Sequence, residues 1–151
     1  MIKIICVGKI KEQYYVDAIL EYKKRLSKYT NVEIIEVEDE KTTDKEVAIR
    51  KEKERIEKHI NPKDYVISLA IEGKEIDSLE FASKLDNIFI SYSNITFIIG
   101  GSLGIAKEIK DRSNMLLSFS KMTFPHQLFR IILLEQIYRA YKINNNEEYH
   151  K

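Results

Sequence analysis

The chain has 151 residues, 44% of them hydrophobic and 32% charged, with a formal net charge of +1 and one cysteine. That length fits one domain, which buries roughly two-thirds of the surface of its unfolded form without help from a disulfide or a metal. One cysteine excludes an intrachain disulfide framework, no apolar run approaches the roughly 20 residues that cross a bilayer, and a charge near zero leaves any nucleic-acid contact to local basic patches.

Ile2 to Val7 (IKIICV) is apolar and β-branched and runs into Gly8, the pattern of a buried strand ending at a turn. Cys6 inside it reads as a small buried hydrophobe. No signal-peptide layout precedes this run, so a cytoplasmic protein is expected. Tyr15, Ile19, Tyr22, Leu26 and Tyr29 then recur at helical spacing, with Lys23, Lys24, Arg25 and Lys28 forming a basic outer face. Val32 to Val37 (VEIIEV) is a second strand. Thr43, three residues before Glu46, carries a capping-box signature for a second helix through about Ile60. Its thin apolar line of Ile49, Ile56 and Ile60 predicts an outer helix.

Asn61 and Pro62 break that helix, and Tyr65 to Ile71 (YVISLAI) makes a third strand. Asp77 with Glu80 caps a helix carrying Phe81, Leu85, Ile88 and Phe89. Ile95 to Ile99 (ITFII) is a fourth strand, which meets the loop GGSLG and a short polar helix from Ile105 to about Arg112. Met115 to Phe119 is a fifth, short strand, and Pro125 punctuates the next loop. Gln127 to about Ile143 is a long apolar helix, followed by the polar tail NNNEEYHK.

This alternation predicts an α/β fold, a mostly parallel sheet with helices on both faces. With no repeat, linker or low-complexity segment, residues 1–151 form a single domain. The last helix has apolar residues at Leu128, Phe129, Ile131, Ile132, Leu133, Leu134, Ile137, Tyr138 and Tyr141, more than one face requires. Two readings stay open: a helix covered on its second side by a partner subunit, or a central core helix.

Three loops lie just past strands, where ligands of open α/β sheets bind. LAIEGK spans Leu69 to Lys74, GGSLG follows the fourth strand, and SFSKMTFPHQ spans Ser118 to Gln127. Glycine in such a loop lets backbone approach a ligand, although GGSLG by itself also suits an ordinary strand-to-helix turn. Together the three loops can surround one small molecule. His126 opens the apolar helix, either as acid, base or phosphate contact or as a histidine bonded to backbone. Arg130, Glu135 and Arg139 are charges within the apolar helix, where salt bridges or a substrate role would justify their burial. Tyr149, His150 and Lys151 offer an aromatic face and positive charge at the tail, where disorder is the usual alternative.

SFSKMTFPHQLFRIILLEQIYRAYKI ending in EYHK, with FIIGG, LAIEGK and IKIICVGKIKE upstream, closely resembles the bacterial ribosomal RNA large-subunit methyltransferase H family of the SPOUT superfamily. The resemblance covers essentially the whole chain, and its specific parts are the FSKMTFPHQ block and the YHK ending. It implies a SPOUT-type sheet with a C-terminal trefoil knot, a departure from the rule that chains are unknotted. It also implies a homodimer that uses S-adenosyl-L-methionine, without a metal or a membrane, to methylate N3 of a pseudouridine in 23S rRNA, within ribosomes. By matching motif positions, the cofactor is expected at Leu69, Gly100, Phe119, Ser120, Lys121, Met122, Thr123 and Phe124. The family's shared tail gives Tyr149 and His150 a role in the neighbouring subunit's site.

A sulfonium is already an activated methyl donor, so the protein's task is to align the target nitrogen behind the methyl carbon and to exclude water. The N3 proton must leave at or before transfer. His150, His126 or a water held by either is the candidate acceptor, and Arg139 or Arg130 could stabilise charge on the flanking carbonyl oxygens. Tyr149 and Glu135 complete the candidate catalytic set. The rival from another class is an inactive RNA-binding or ribosome-associated dimer on the same fold, which cofactor binding would separate. A different nucleotide bound through GGSLG is disfavoured, since no acidic residue follows at the dinucleotide spacing of about 20 residues.

Overall fold

A computed structural model describes residues 1–149. The chain alternates β1 (Ile2–Val7), α1 (Gln13–Leu26), β2 (Val32–Val37), α2 (Lys45–Glu57), β3 (Tyr65–Glu75), α3 (Ser78–Ser91), β4 (Ile95–Ile99), α4 (Lys107–Arg112), β5 (Met115–Ser118) and α5 (His126–Asn144). The five strands form one sheet in the order β2-β1-β4-β3-β5, with every pairing parallel.

Parallel strands covered on both faces need apolar side chains on both faces, and the strands supply them at period two. Ile2, Ile4 and Cys6 of β1 join Phe97 and Ile99 of β4 in a core completed by Leu26 of α1, Phe81 and Leu85 of α3, and Leu133, Leu134 and Ile137 of α5. Ile5 and Val7, the alternate β1 residues, join Ile98, Ile56 of α2, and Ile105 and Ile109 at α4 in a second core on the opposite face. α1, α3 and α5 therefore cover one face, and α2 and α4 the other. Burial pushes the Cys6 thiol up to about 12, so it stays protonated and packs as a hydrophobe.

Several details differ from the sequence expectations. Asp44, not Thr43, caps α2, its carboxylate accepting from the Glu46 and Val47 amides at 3.1 and 3.3 Å. The inward face of α2 is Ala48, Glu52 and Ile56. The buried Glu52 carboxylate accepts from the Glu40 amide at 2.9 Å, a satisfied polar group on a helix that reads as solvated. β3 runs past Ile71 to Glu75, and its pairing with β5 shifts register between Leu69 and Lys74. Residues 70–73 thus leave the ladder as a bulge. Gly73 closes it, because a Cβ there would lie 2.7 Å from the Leu116 and Leu117 backbone.

Candidate active site

The carboxyl ends of β3, β4 and β5 open onto one cleft of about 310 Å³. Its walls come from the β3 bulge, the Gly100–Ile105 loop and the loop after β5. The floor is aromatic: Phe119 and Phe124 pack on Phe129 of α5 with ring centroids 5.0 and 5.9 Å away, and Phe119 also meets Phe81 at 6.2 Å. Gly100 shapes the middle wall. A Cβ on it would lie 2.8 Å from the backbone of Gly104, to which Gly101 pairs in an isolated bridge. Glycine is thus required by the loop's own fold, which holds the backbone edge against the cleft.

Leu69, Gly100, Phe119, Ser120, Met122, Thr123 and Phe124 line this cleft together, as does His126 at the first turn of α5. Lys121 lies in the same loop but points to solvent and is not part of the lining. The loop holds its shape through its own hydroxyls: Ser118 donates to the Ser120 carbonyl at 2.9 Å, and the Met122 amide donates to Ser120 Oγ at 3.0 Å. Met122 is 77% exposed and Ile71 54%, so the mouth of the cleft is apolar as well as its floor.

Sequence reasoning did not single out Glu72 or Lys110. Both line the cleft, and the Lys110 ammonium donates to the Glu72 carboxylate at 2.6 Å. That hydrogen bond holds the Glu72 carboxyl below the ordinary range. Glu72 lay inside the LAIEGK motif, whereas nothing in the KEIKDR stretch of α4 marks Lys110.

The other candidates lie elsewhere. Arg130 is fully buried on α5, donating to the Glu36 carboxylate and, at 2.7 Å, to the Gly8 carbonyl. Glu36 in turn accepts from the Ile10 amide at 2.9 Å. This geometry ties the ends of β1 and β2 to α5, and Arg130 is not part of the cleft lining. Glu135 and Arg139 pair along α5 at 2.9 Å, and the Tyr149 hydroxyl donates to Glu135 at 3.0 Å. The Arg139 guanidinium also lies 4.7 Å from the centre of the Tyr149 ring. His150 and Lys151 lie outside the described residues. Among the described residues no three His, Cys, Asp or Glu side chains cluster as metal ligands, and no helix is long and apolar enough to cross a membrane.

A family model described as predicted SPOUT methyltransferase matches residues 1–150. The chain belongs to the SPOUT methyltransferase family. It is 54% identical to the ribosomal RNA large subunit methyltransferase H of Streptococcus uberis and 50% identical to that of Streptococcus suis, in both cases over 99% of each chain. Among solved structures, a methylase family protein of Haemophilus influenzae Rd KW20 matches 99% of this chain and 70% of its own at a TM-score of 0.55 and 14% identity, a likeness of fold. The SFSKMTFPHQ block of this SPOUT chain is therefore both its most specific sequence feature and one wall of this cleft.

Proposed function

We propose that this protein is a cytoplasmic S-adenosylmethionine-dependent methyltransferase that modifies N3 of a pseudouridine in 23S rRNA, acting as a homodimer of single-domain subunits of residues 1–151. The observation that carries this reading is the convergence of three strand-end loops, one of them SFSKMTFPHQ, on a single apolar cleft. The names of the relatives, ribosomal RNA large subunit methyltransferase H, support the substrate class. The family's trefoil threading of the C-terminal segment belongs to the same reading.

The cleft fits an adenosine-bearing cofactor. Its volume falls within the range of small-molecule sites, its floor offers aromatic faces, and its rim offers backbone edges at the Gly100 loop. Bound there, S-adenosylmethionine would supply an activated methyl group on its sulfonium. Phe119, Phe124 and Phe129 would keep water from the floor of the cleft around a bound cofactor. His126, at the cleft, is a candidate to hold or accept the N3 proton, directly or through a water, with His150 as the alternative. The loop residues would hold cofactor and base in one orientation, which is what transfer from an already activated methyl donor requires.

The homodimer rests on the outward stripe of α5. Leu128, Ile132, Glu135 and Arg139 recur at helical spacing opposite the buried Arg130, Leu133, Leu134 and Ile137, and two of the four are large apolar residues. Tyr149 lies on this stripe, which supports a tail that works across the interface. RNA would meet basic groups near the strand ends, among them the exposed Lys9 and Lys11.

Incubation with labelled S-adenosylmethionine and free large-subunit RNA, isolated large subunits or whole ribosomes tests the reading. Transfer to one pseudouridine is expected in at least one of these substrates. Cofactor binding without transfer to any of them would overturn the assignment of substrate. No cofactor binding at all would leave the inactive RNA-binding dimer in its place.

A further inference from the structure

The cleft lining combines apolar side chains and backbone with the hydroxyls of Ser102, Ser118, Ser120 and Thr123 and the His126 imidazole, and it carries one pair of opposite charges. Glu72 leaves the sheet in the β3 bulge, Lys110 rises from α4, and the two meet at 2.6 Å within the lining. No other carboxylate or ammonium lines the cleft among the described residues. The Lys110 side chain is the better covered, at 26% exposure against 56% for Glu72. A part-exposed pair of this kind adds little to stability. Its place in the wall of a ligand cleft matches a ligand that carries charge of its own.

The cofactor invoked above has two chemically distinct ends. An adenosine suits the aromatic floor, whereas an α-amino acid end presents an ammonium and a carboxylate on neighbouring atoms. Glu72 and Lys110 present the complementary carboxylate and ammonium side by side. We propose that they form the subsite for this zwitterionic end, Lys110 donating to the ligand carboxylate and Glu72 accepting from the ligand ammonium. Each charge then exchanges one partner for another, so none is left desolvated and unpaired. Glu72 and Lys110 are in this sense specificity residues, selecting ligands that carry the amino acid. The inference rests on the cofactor reading given above.

Three ligands separate the possibilities: S-adenosylmethionine, S-adenosylhomocysteine and 5′-methylthioadenosine, which lacks the amino acid end. Their affinities for the full-length protein are compared by calorimetry with those for Lys110→Met, Glu72→Gln and Lys110→Arg. The expected result is a loss of about tenfold or more for the first two ligands with Lys110→Met and Glu72→Gln, and a change of less than about twofold for methylthioadenosine. Lys110→Arg should retain most of the affinity, since it keeps the charge. Methylthioadenosine binding also reports that each variant is folded. Equal loss for all three ligands would mean that the pair only clasps two loops, and no loss for any would remove it from the site; either overturns the proposal. A wild-type protein that binds none of the three would instead overturn the cofactor reading itself.

Discussion

The Tyr149 hydroxyl donates to the Glu135 carboxylate at 3.0 Å, fourteen residues back along the chain, and that carboxylate also pairs with Arg139 at 2.9 Å. Tyr149, Glu135 and Arg139 are thereby interlocked on the outward stripe of α5. His126 marks the cleft end of the same helix, and nine residues at 1.5 Å each set Glu135 about 13 Å further along the axis. None of the trio lines the cleft of its own subunit, so a role in methyl transfer would be played at a neighbour's cleft.

Removal of residues 149–151 is accordingly expected to abolish methyl transfer while leaving cofactor affinity within about twofold, because Tyr149 packs on Tyr138, Glu135 and Arg139 of α5 and not on the cleft. Mixing that variant with Gly100→Leu, whose cleft loop cannot keep its shape, should restore activity through heterodimers. An inactive mixture would contradict a site shared between subunits.

A dimer built on the outward stripe makes two neighbouring substitutions behave differently. Leu133 is fully buried in its own subunit, so Leu133→Glu should unfold the protein. Ile132 is only part-covered, and Ile132→Glu should yield a folded monomer in sedimentation and circular dichroism. A dimer that survives Ile132→Glu would put the interface elsewhere.

The order of elements was legible because each strand is a short apolar run and each long helix has a periodic face. Their ends were less so. Thr43 and Asp44 are adjacent cap formers, and the Asp44 carboxylate is the one that meets the helix amides. The end of β3 reads as polar loop because EGKE has no alternation, yet it pairs across a bulge with β5. Within the cleft, the strand-end loops and the resemblance pointed to Leu69, Gly100 and the Phe119–Phe124 stretch. Lys110 escaped because its partner is 38 residues away, a contact that exists only after α4 docks. The apolar excess of α5 predicts cover on two sides, and Leu133 and Ile137 find theirs within the subunit, which leaves the Leu128 and Ile132 stripe for a partner.

Arg130 and Glu36 are unequal partners. Arg130 is fully buried, while about a third of the Glu36 side chain reaches solvent. Glu36→Ala leaves a buried guanidinium with the Gly8 carbonyl as its remaining acceptor and is expected to cost about 3–5 kcal/mol. Arg130→Met lets Glu36 hydrate and keeps an apolar filling, with an expected cost of about 1–2 kcal/mol. Urea titration of both variants tests the ordering, and a more costly Arg130→Met would contradict it.

The C-terminal turn has an acid-resistant clasp. The Lys142 ammonium and the Tyr29 hydroxyl both donate to the Glu147 carboxylate, at 2.8 and 2.6 Å, and these bonds, Lys142 first, bring the Glu147 carboxyl down to about 2. A depressed carboxyl stabilises the fold fully above its unfolded value of about 4.3 and loses that effect as pH falls through its folded value. The turn should therefore stay docked at pH 4 and release toward pH 2. Carbon-detected NMR titration of Glu147 would contradict this with a midpoint near 4.3.

The function itself is tested most directly in the cell, by mass spectrometry of nucleosides from large-subunit RNA of strains with and without this gene. N3-methylpseudouridine is expected in the parent, absent from the deletion strain, restored by the wild-type gene and not restored by Gly100→Leu. An undiminished level of that nucleoside in the deletion strain would contradict the proposed function.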